Sequence, residues 1–212
     1  MFSDFKTAFI LAPHTDDGEL GCGGTIKKLI ENGVSVYYIA FSTAEESVPD
    51  GFPRNQLEYE VRDATKVLNI KEENLVIYKY PVRKLNYARQ DILENLIELR
   101  AKYDPDLIFM PSLNDIHQDH KTIAEEGLRA FKNRTLLGYE LIWNNLKFDT
   151  DCFVSLTKED IEAKVEALSK YKTQQGREYM SREFILALAK TRGVQIGVKY
   201  AETFEVVRWI IK

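Results

Sequence analysis

Cysteine is scarce: Cys22 and Cys152 are the only two in 212 residues, which excludes a disulfide framework or a four-thiolate zinc site. Long apolar runs are missing as well. The longest, at 34–41 and 106–110, fall far short of the roughly 20 residues that cross a bilayer, so no membrane span is expected. No lysine or arginine run stands out, and 29 basic against 33 acidic side chains leave a net charge of −4. A phosphate-backbone partner favours a basic face, so nucleic acid is not an expected partner. The amino end, MFSDFKTAFILAP, lacks the extended apolar stretch and small-residue cleavage site of a signal peptide, and a cytoplasmic address is expected. No linker rich in Gly, Ser or Pro and no internal repeat divides the chain.

What is present is an ordinary globular composition, 44% hydrophobic and 29% charged, and a length suited to a single domain, 1–212. Apolar patterning alternates between strand and helix. Strands are predicted at 6–13, 34–41, 74–80, 106–111 and 136–143. Helices are predicted at 20–32, 55–68, 92–103 and 119–131. The alternation implies an α/β fold with a doubly wound, mainly parallel, Rossmann-like sheet and right-handed crossovers. The remainder reads as a carboxyl-terminal α+β extension of the same domain: a short strand at 152–156, a helix opened by a capping box at Thr157 and Asp160, a helix at 178–192 ended by Gly193, and strand-like stretches to 211.

The chemistry concentrates in two segments. The sequence has only three histidines: His14 in PHTDDGELGCGG just after the first predicted strand, and His117 and His120 in DIHQDH just after the fourth. In doubly wound sheets, ligands bind beyond the carboxyl ends of strands where strand order reverses, so the fold expectation brings these segments together. They supply His14, Asp16, Asp17, His117, Asp119 and His120, an inventory of imidazoles and carboxylates that suits zinc and also permits ferrous iron. Taken singly, either motif could do no more than cap a helix; two of them at strand ends, using every histidine, point to a metal site. The glycines Gly21, Gly23 and Gly24 could simply let the first helix pack closely.

The rival reading is a non-catalytic or nucleotide-binding Rossmann-like module with a structural His/Asp cluster. Gly21 and Gly23 begin G-x-G-x-x-G, but Ile26 occupies the third glycine position. No acidic residue ends the second strand, where the chain reads Phe41, Ser42, Thr43.

At these residues the chain resembles the LmbE-like, PIG-L-type zinc-dependent N-deacetylases. Their HPDDE motif, glycine-rich helix start and downstream HxDH look like residues 14–18, 21–24 and 117–120, and RGVQIGVKYAETF at 192–204 resembles their carboxyl-terminal segment. Thr15 stands in place of the usual proline and Gly18 in place of the usual glutamate, with Glu19 one place later. The resemblance implies His14, Asp17 and His120 as zinc ligands, Asp16 as general base, and His117, oriented by Asp119, as electrophile or acid. The implied reaction is removal of acetyl from an N-acetylated amino sugar or its conjugate, possibly nucleotide-linked. Zinc makes hydroxide available in neutral solution, Asp16 takes a proton from the attacking water, and positive charge stabilises the oxyanion. Arg54 and Arg83 are the candidate substrate contacts, because a guanidinium donates in a planar fork. Homo-oligomerisation is left open by the sequence.

Overall fold

The structure is a computed structural model that describes residues 4–211; the expectations for the amino end and for a domain spanning 1–212 extend beyond these. Seven strands form one sheet: β1 (Thr7–His14), β2 (Ser35–Ser42), β3 (Leu75–Ile77), β4 (Leu107–Pro111), β5 (Thr135–Tyr139), β6 (Cys152–Leu156) and β7 (Tyr200–Arg208). Their order is β3-β2-β1-β4-β5-β7-β6. β1 to β5 are mutually parallel, and β7 runs antiparallel between β5 and β6. Mainly parallel winding with a carboxyl-terminal α+β extension is therefore what the chain adopts.

β1 shows why the sheet is central. Ala8, Ile10 and Ala12 pack into the core on one face, and Phe9 and Leu11 into the core on the other, all fully buried. An apolar run with no polar alternation is what a strand covered on both faces requires. On the first face lie α1 (Asp17–Glu31), α2 (Gln56–Val67), α5 (Lys158–Leu168) and α6 (Arg182–Gln195), through Ile26, Val61, Ile161 and Ile185 among others. On the second lie α3 (Arg89–Tyr103) and α4 (Gln118–Ala130), through Ile92, Leu96 and Ile123.

Several boundaries differ from the sequence pattern. β3 has three residues rather than seven: Leu75–Ile77 pair in register with β2, and beyond them the Tyr78 and Tyr80 amides still donate to the Ala40 and Phe41 carbonyls without extending the strand. β5 ends at Tyr139; the chain then turns, the Leu141 amide donating to Asn145 Oδ1 and the Asn144 amide to the Leu141 carbonyl. α6 starts at Arg182, capped by Ser181, whose hydroxyl accepts from the Phe184 amide. Gly193 does not end it. Gly193 sits inside the last turn, where a side chain would run into the Val198 carbonyl and the Tyr200 amide as the chain folds back into β7.

The sheet order reverses at β1, which has β2 on one side and β4 on the other. The carboxyl ends of β1 and β4 therefore open onto a switch-point crevice.

Candidate metal centre

His14 is the last residue of β1, Asp16 the N-cap of α1 and Asp17 its first residue. His117 is the N-cap of α4, with His120 in its first turn. The switch point thus gathers all six residues that the sequence singled out. The Asp16 carboxylate makes no capping bond to α1, so the plain capping reading of Asp-Asp does not account for it.

Two buried carboxylates set the ring tautomers. His14 Nε2 lies 3.0 Å from Asp119 Oδ2, and His120 Nδ1 lies 2.8 Å from Asp115 Oδ2. A carboxylate accepts, so the neutral rings carry their protons on those nitrogens, leaving His14 Nδ1 and His120 Nε2 bare. Both bare nitrogens face Asp17 Oδ2, at 3.0 and 3.3 Å, and stand 3.2 Å from each other. Three acceptors converging in this way repel unless positive charge sits between them. Donors around one tetrahedral ion at roughly 2.0–2.1 Å lie roughly 3.3 Å apart, so the triangle fits zinc, or ferrous iron with the same donor set.

The electrostatics carry the same demand. Against the desolvation that burial imposes, Asp17 and Asp119 hold His14 up to about 9, and Asp17 and Asp115 hold His120 up to about 10. Against its own burial, Asp17 is held well below the carboxylate range by His120 and His14. Protons can supply the charge that the triangle requires, and a dication supplies it more completely.

His117 is the third imidazole of the cluster, with a ring nitrogen within 4.8 Å of a ring nitrogen of each of His14 and His120. Its Nδ1 accepts the Asp119 backbone amide at 3.2 Å, as expected of an N-cap side chain. That corrects one expectation: Asp119 does not orient His117 through its carboxylate, which is engaged with His14 and with the Arg83 and Leu85 amides at 2.5 and 3.2 Å. Burial, followed by the charges of His120 and His14, pushes His117 down to about 4. It is a neutral ring with its proton on Nε2. For Asp16, burial and then the neighbouring Asp17 raise the carboxyl to about 6, with His14 and Arg177 pulling the other way.

His14, Asp16, Asp17, His117 and His120 line a cleft of about 280 Å³, together with Ser47, Arg83, Trp143, Asn144, Gln174, Arg177 and Tyr179, while Asp119 lies buried behind them. Arg83 comes to the cleft on a left-handed backbone, φ 64, held by the hydrogen bond that its backbone amide donates to Asp119 Oδ2. Arg54 does not; it is exposed and lies outside the cleft lining, and the residue that this part of the chain turns to the cleft is Leu57, in the first turn of α2. Sequence reasoning missed Asp115, although it stands in the quoted DIHQDH, five residues before His120. Arg177 and Gln174 also line the cleft, and nothing in their spacing marks them.

Gly18 and Glu19 have a physical account. A side chain at Gly18 would strike the Tyr38 ring at 2.5 Å, and Glu19, fully buried, contacts the Tyr38 and Tyr171 hydroxyls. Gly21 and Gly24 likewise make room for Tyr139 and Leu156, so close packing explains the glycine cluster.

The family described as PIG-L, GlcNAc-PI de-N-acetylase, matches residues 9–131. The chain is 28% identical over 138 residues to a diacetylchitobiose deacetylase of Thermococcus kodakarensis, covering 61% of this chain and 50% of that protein; it thus spans half the length of that relative. It is 25% identical over 174 residues to an uncharacterized deacetylase, YaiS, of Escherichia coli, covering 79% and 91% of the two chains. Its fold superposes on N,N'-diacetylchitobiose deacetylase from Pyrococcus horikoshii with a TM-score of 0.80 at 23% identity, over 97% of this chain and 85% of the other.

Proposed function

This chain belongs to the PIG-L family, whose characteristic region spans more than half of it, and from that premise we propose that it is a metal-dependent N-deacetylase. Its substrate is an N-acetylated amino sugar or a conjugate of one, nucleotide-linked sugars included, and its products are acetate and the free amine. The deacetylases among its relatives support the reaction class. The observation that carries the reading is the triangle of His14 Nδ1, Asp17 Oδ2 and His120 Nε2.

Those three residues would hold zinc or ferrous iron. When bound, such an ion supplies Lewis acidity, making water ionise near neutral pH and polarising a carbonyl. The remaining work belongs to the protein. Asp16, next to a ligand and free of any capping bond, takes a proton from the attacking water. The oxygen–carbon bond forms as the amide carbonyl becomes an oxyanion, and the His117 Nε2–H donates to it as a neutral donor. The proton held on Asp16 passes to the nitrogen, the carbon–nitrogen bond breaks, and the amine leaves. Arg83, at the cleft wall, contacts sugar hydroxyls or an attached phosphate.

A carboxylate on the cleft that makes no capping bond to its helix favours catalysis over a purely structural His/Asp cluster. The test is acetate release from acetylated amino sugars, free and nucleotide-linked, by zinc-loaded protein and by protein stripped with chelator. The expected outcome is turnover that chelation abolishes and zinc restores. Turnover indifferent to verified metal removal overturns the reading.

A further inference from the structure

The peptide that precedes Asp16 is held by two buried phenols. The Thr15 carbonyl accepts from Tyr38 Oη at 2.8 Å and from Tyr171 Oη at 2.6 Å. Tyr38 lies on β2 and Tyr171 follows α5, so two distant segments converge on one carbonyl oxygen. Both rings are fully buried, and neither lines the cleft. The Gly18 amide donates to Tyr38 Oη at 3.1 Å, and the Glu19 carboxyl meets both hydroxyls, which ties the first turn of α1 into the same arrangement. The Thr15 hydroxyl, by contrast, is buried without a partner. The turn is located through its carbonyl and not through its side chain.

A peptide unit is planar and stiff. The carbonyl carbon of Thr15 is bonded to the amide nitrogen of Asp16, so holding the Thr15 oxygen from two sides sets the plane from which Asp16 departs. The ligands have other supports: Asp119 braces His14 and Asp115 braces His120. Asp16 has none of that kind. We propose that Tyr38 and Tyr171 are positioning residues for Asp16, clamping the Thr15–Asp16 peptide so that the Asp16 carboxylate stands where it takes the proton from water. The proposal rests on the deacetylase reading above. Tyr171 lies beyond the family-matching region of 9–131, so the carboxyl-terminal part of the chain helps set the catalytic turn as well as walling the cleft.

A displacement of about 1 Å at a reacting group costs roughly a hundredfold in rate, which sets the scale of the effect. Tyr171→Phe and Tyr38→Phe each delete one hydroxyl and keep the ring that fills the core. Each variant, loaded with zinc, is compared with wild type for bound zinc, KM, kcat and amide hydrogen exchange in a peptide covering 14–20. The expected result is zinc content and KM within roughly twofold of wild type, kcat lower by roughly tenfold or more, and faster exchange in that peptide. Tyr59→Phe, at an exposed site away from the cleft, leaves all four unchanged. A kcat within roughly threefold of wild type in both variants overturns the proposal. So does loss of zinc in parallel with kcat, which would make the phenols props for the ligand set. Should wild type release no acetate from any acetylated amino sugar, the deacetylase reading falls, and exchange alone decides the clamp: unchanged protection in both variants rejects it, and faster exchange supports it.

Discussion

The proposed base, Asp16, and the proposed donor, His117, are separated by their surroundings. Asp16 serves as a base when ionised, and burial beside Asp17 raises its carboxyl to about 6. A bound dication pulls that value downward, so kcat/KM falls on the acid side at or below pH about 6. His117 is already neutral above about 4, so it adds no titration between there and pH 8. A pH–rate profile checks both statements; an inflection near neutrality that disappears in His117→Ala would show the ring working as an imidazolium. Asp16→Asn keeps the shape of the turn and removes the base. It should retain the metal while kcat falls by roughly a hundredfold or more, and near-normal turnover would take Asp16 out of the role.

Between elements, Asp119 is the junction. From the first turn of α4 it reaches His14 at the end of β1 and the Arg83 and Leu85 amides in the loop before α3. Asp119→Asn puts an amide where two backbone donors and an imidazole need acceptors. Metal affinity should fall by roughly 10- to 100-fold, the usual cost of losing such a partner, and competition with a fluorescent chelator measures it; unchanged affinity would leave Asp119 without this role. The strands and the six histidine-motif residues were legible in the sequence because burial on both faces leaves an unbroken apolar run such as 8–12, and because strand ends collect polar residues that the core cannot hold. Partnerships were not legible. Whether Asp119 faces His14 or His117 depends on how α4 is rotated over β1, and spacing within DIHQDH does not encode that angle. Gly193 was misread for a related reason: a glycine that ends a helix and one that admits a crossing backbone look alike in sequence. Arg54 failed as a cleft residue because its side chain is exposed while the cleft is lined from this stretch by Ala44, Ser47 and Leu57, a choice of facing that loop sequence does not encode.

For the whole molecule, a rim built of buried carboxylates costs stability. The Glu19, Tyr38, Tyr171 and Thr15 oxygens make four contacts among themselves, and the two phenol protons can serve only two of them. A carboxyl proton serves a third, so the cluster favours neutral Glu19, and burial raises it from the usual carboxylate value of 4.5 to about 8. The folded value lies above the unfolded one, so this contribution is fully present below about 4.5 and is lost as pH rises towards about 8, at up to about 1.4 kcal/mol per pH unit. Glu19→Gln should therefore melt higher than wild type at pH 8, with the advantage shrinking toward pH 5; parallel melting profiles would contradict a neutral Glu19. The central claim is that one divalent ion is shared by segments more than a hundred residues apart in the chain. The most direct measurement is a crystal structure of zinc-loaded protein with anomalous scattering recorded at the zinc edge. The account predicts one peak per chain within bonding distance of His14 Nδ1, Asp17 Oδ2 and His120 Nε2, absent in His120→Ala; a peak elsewhere, or none at this triangle with zinc present, would contradict it.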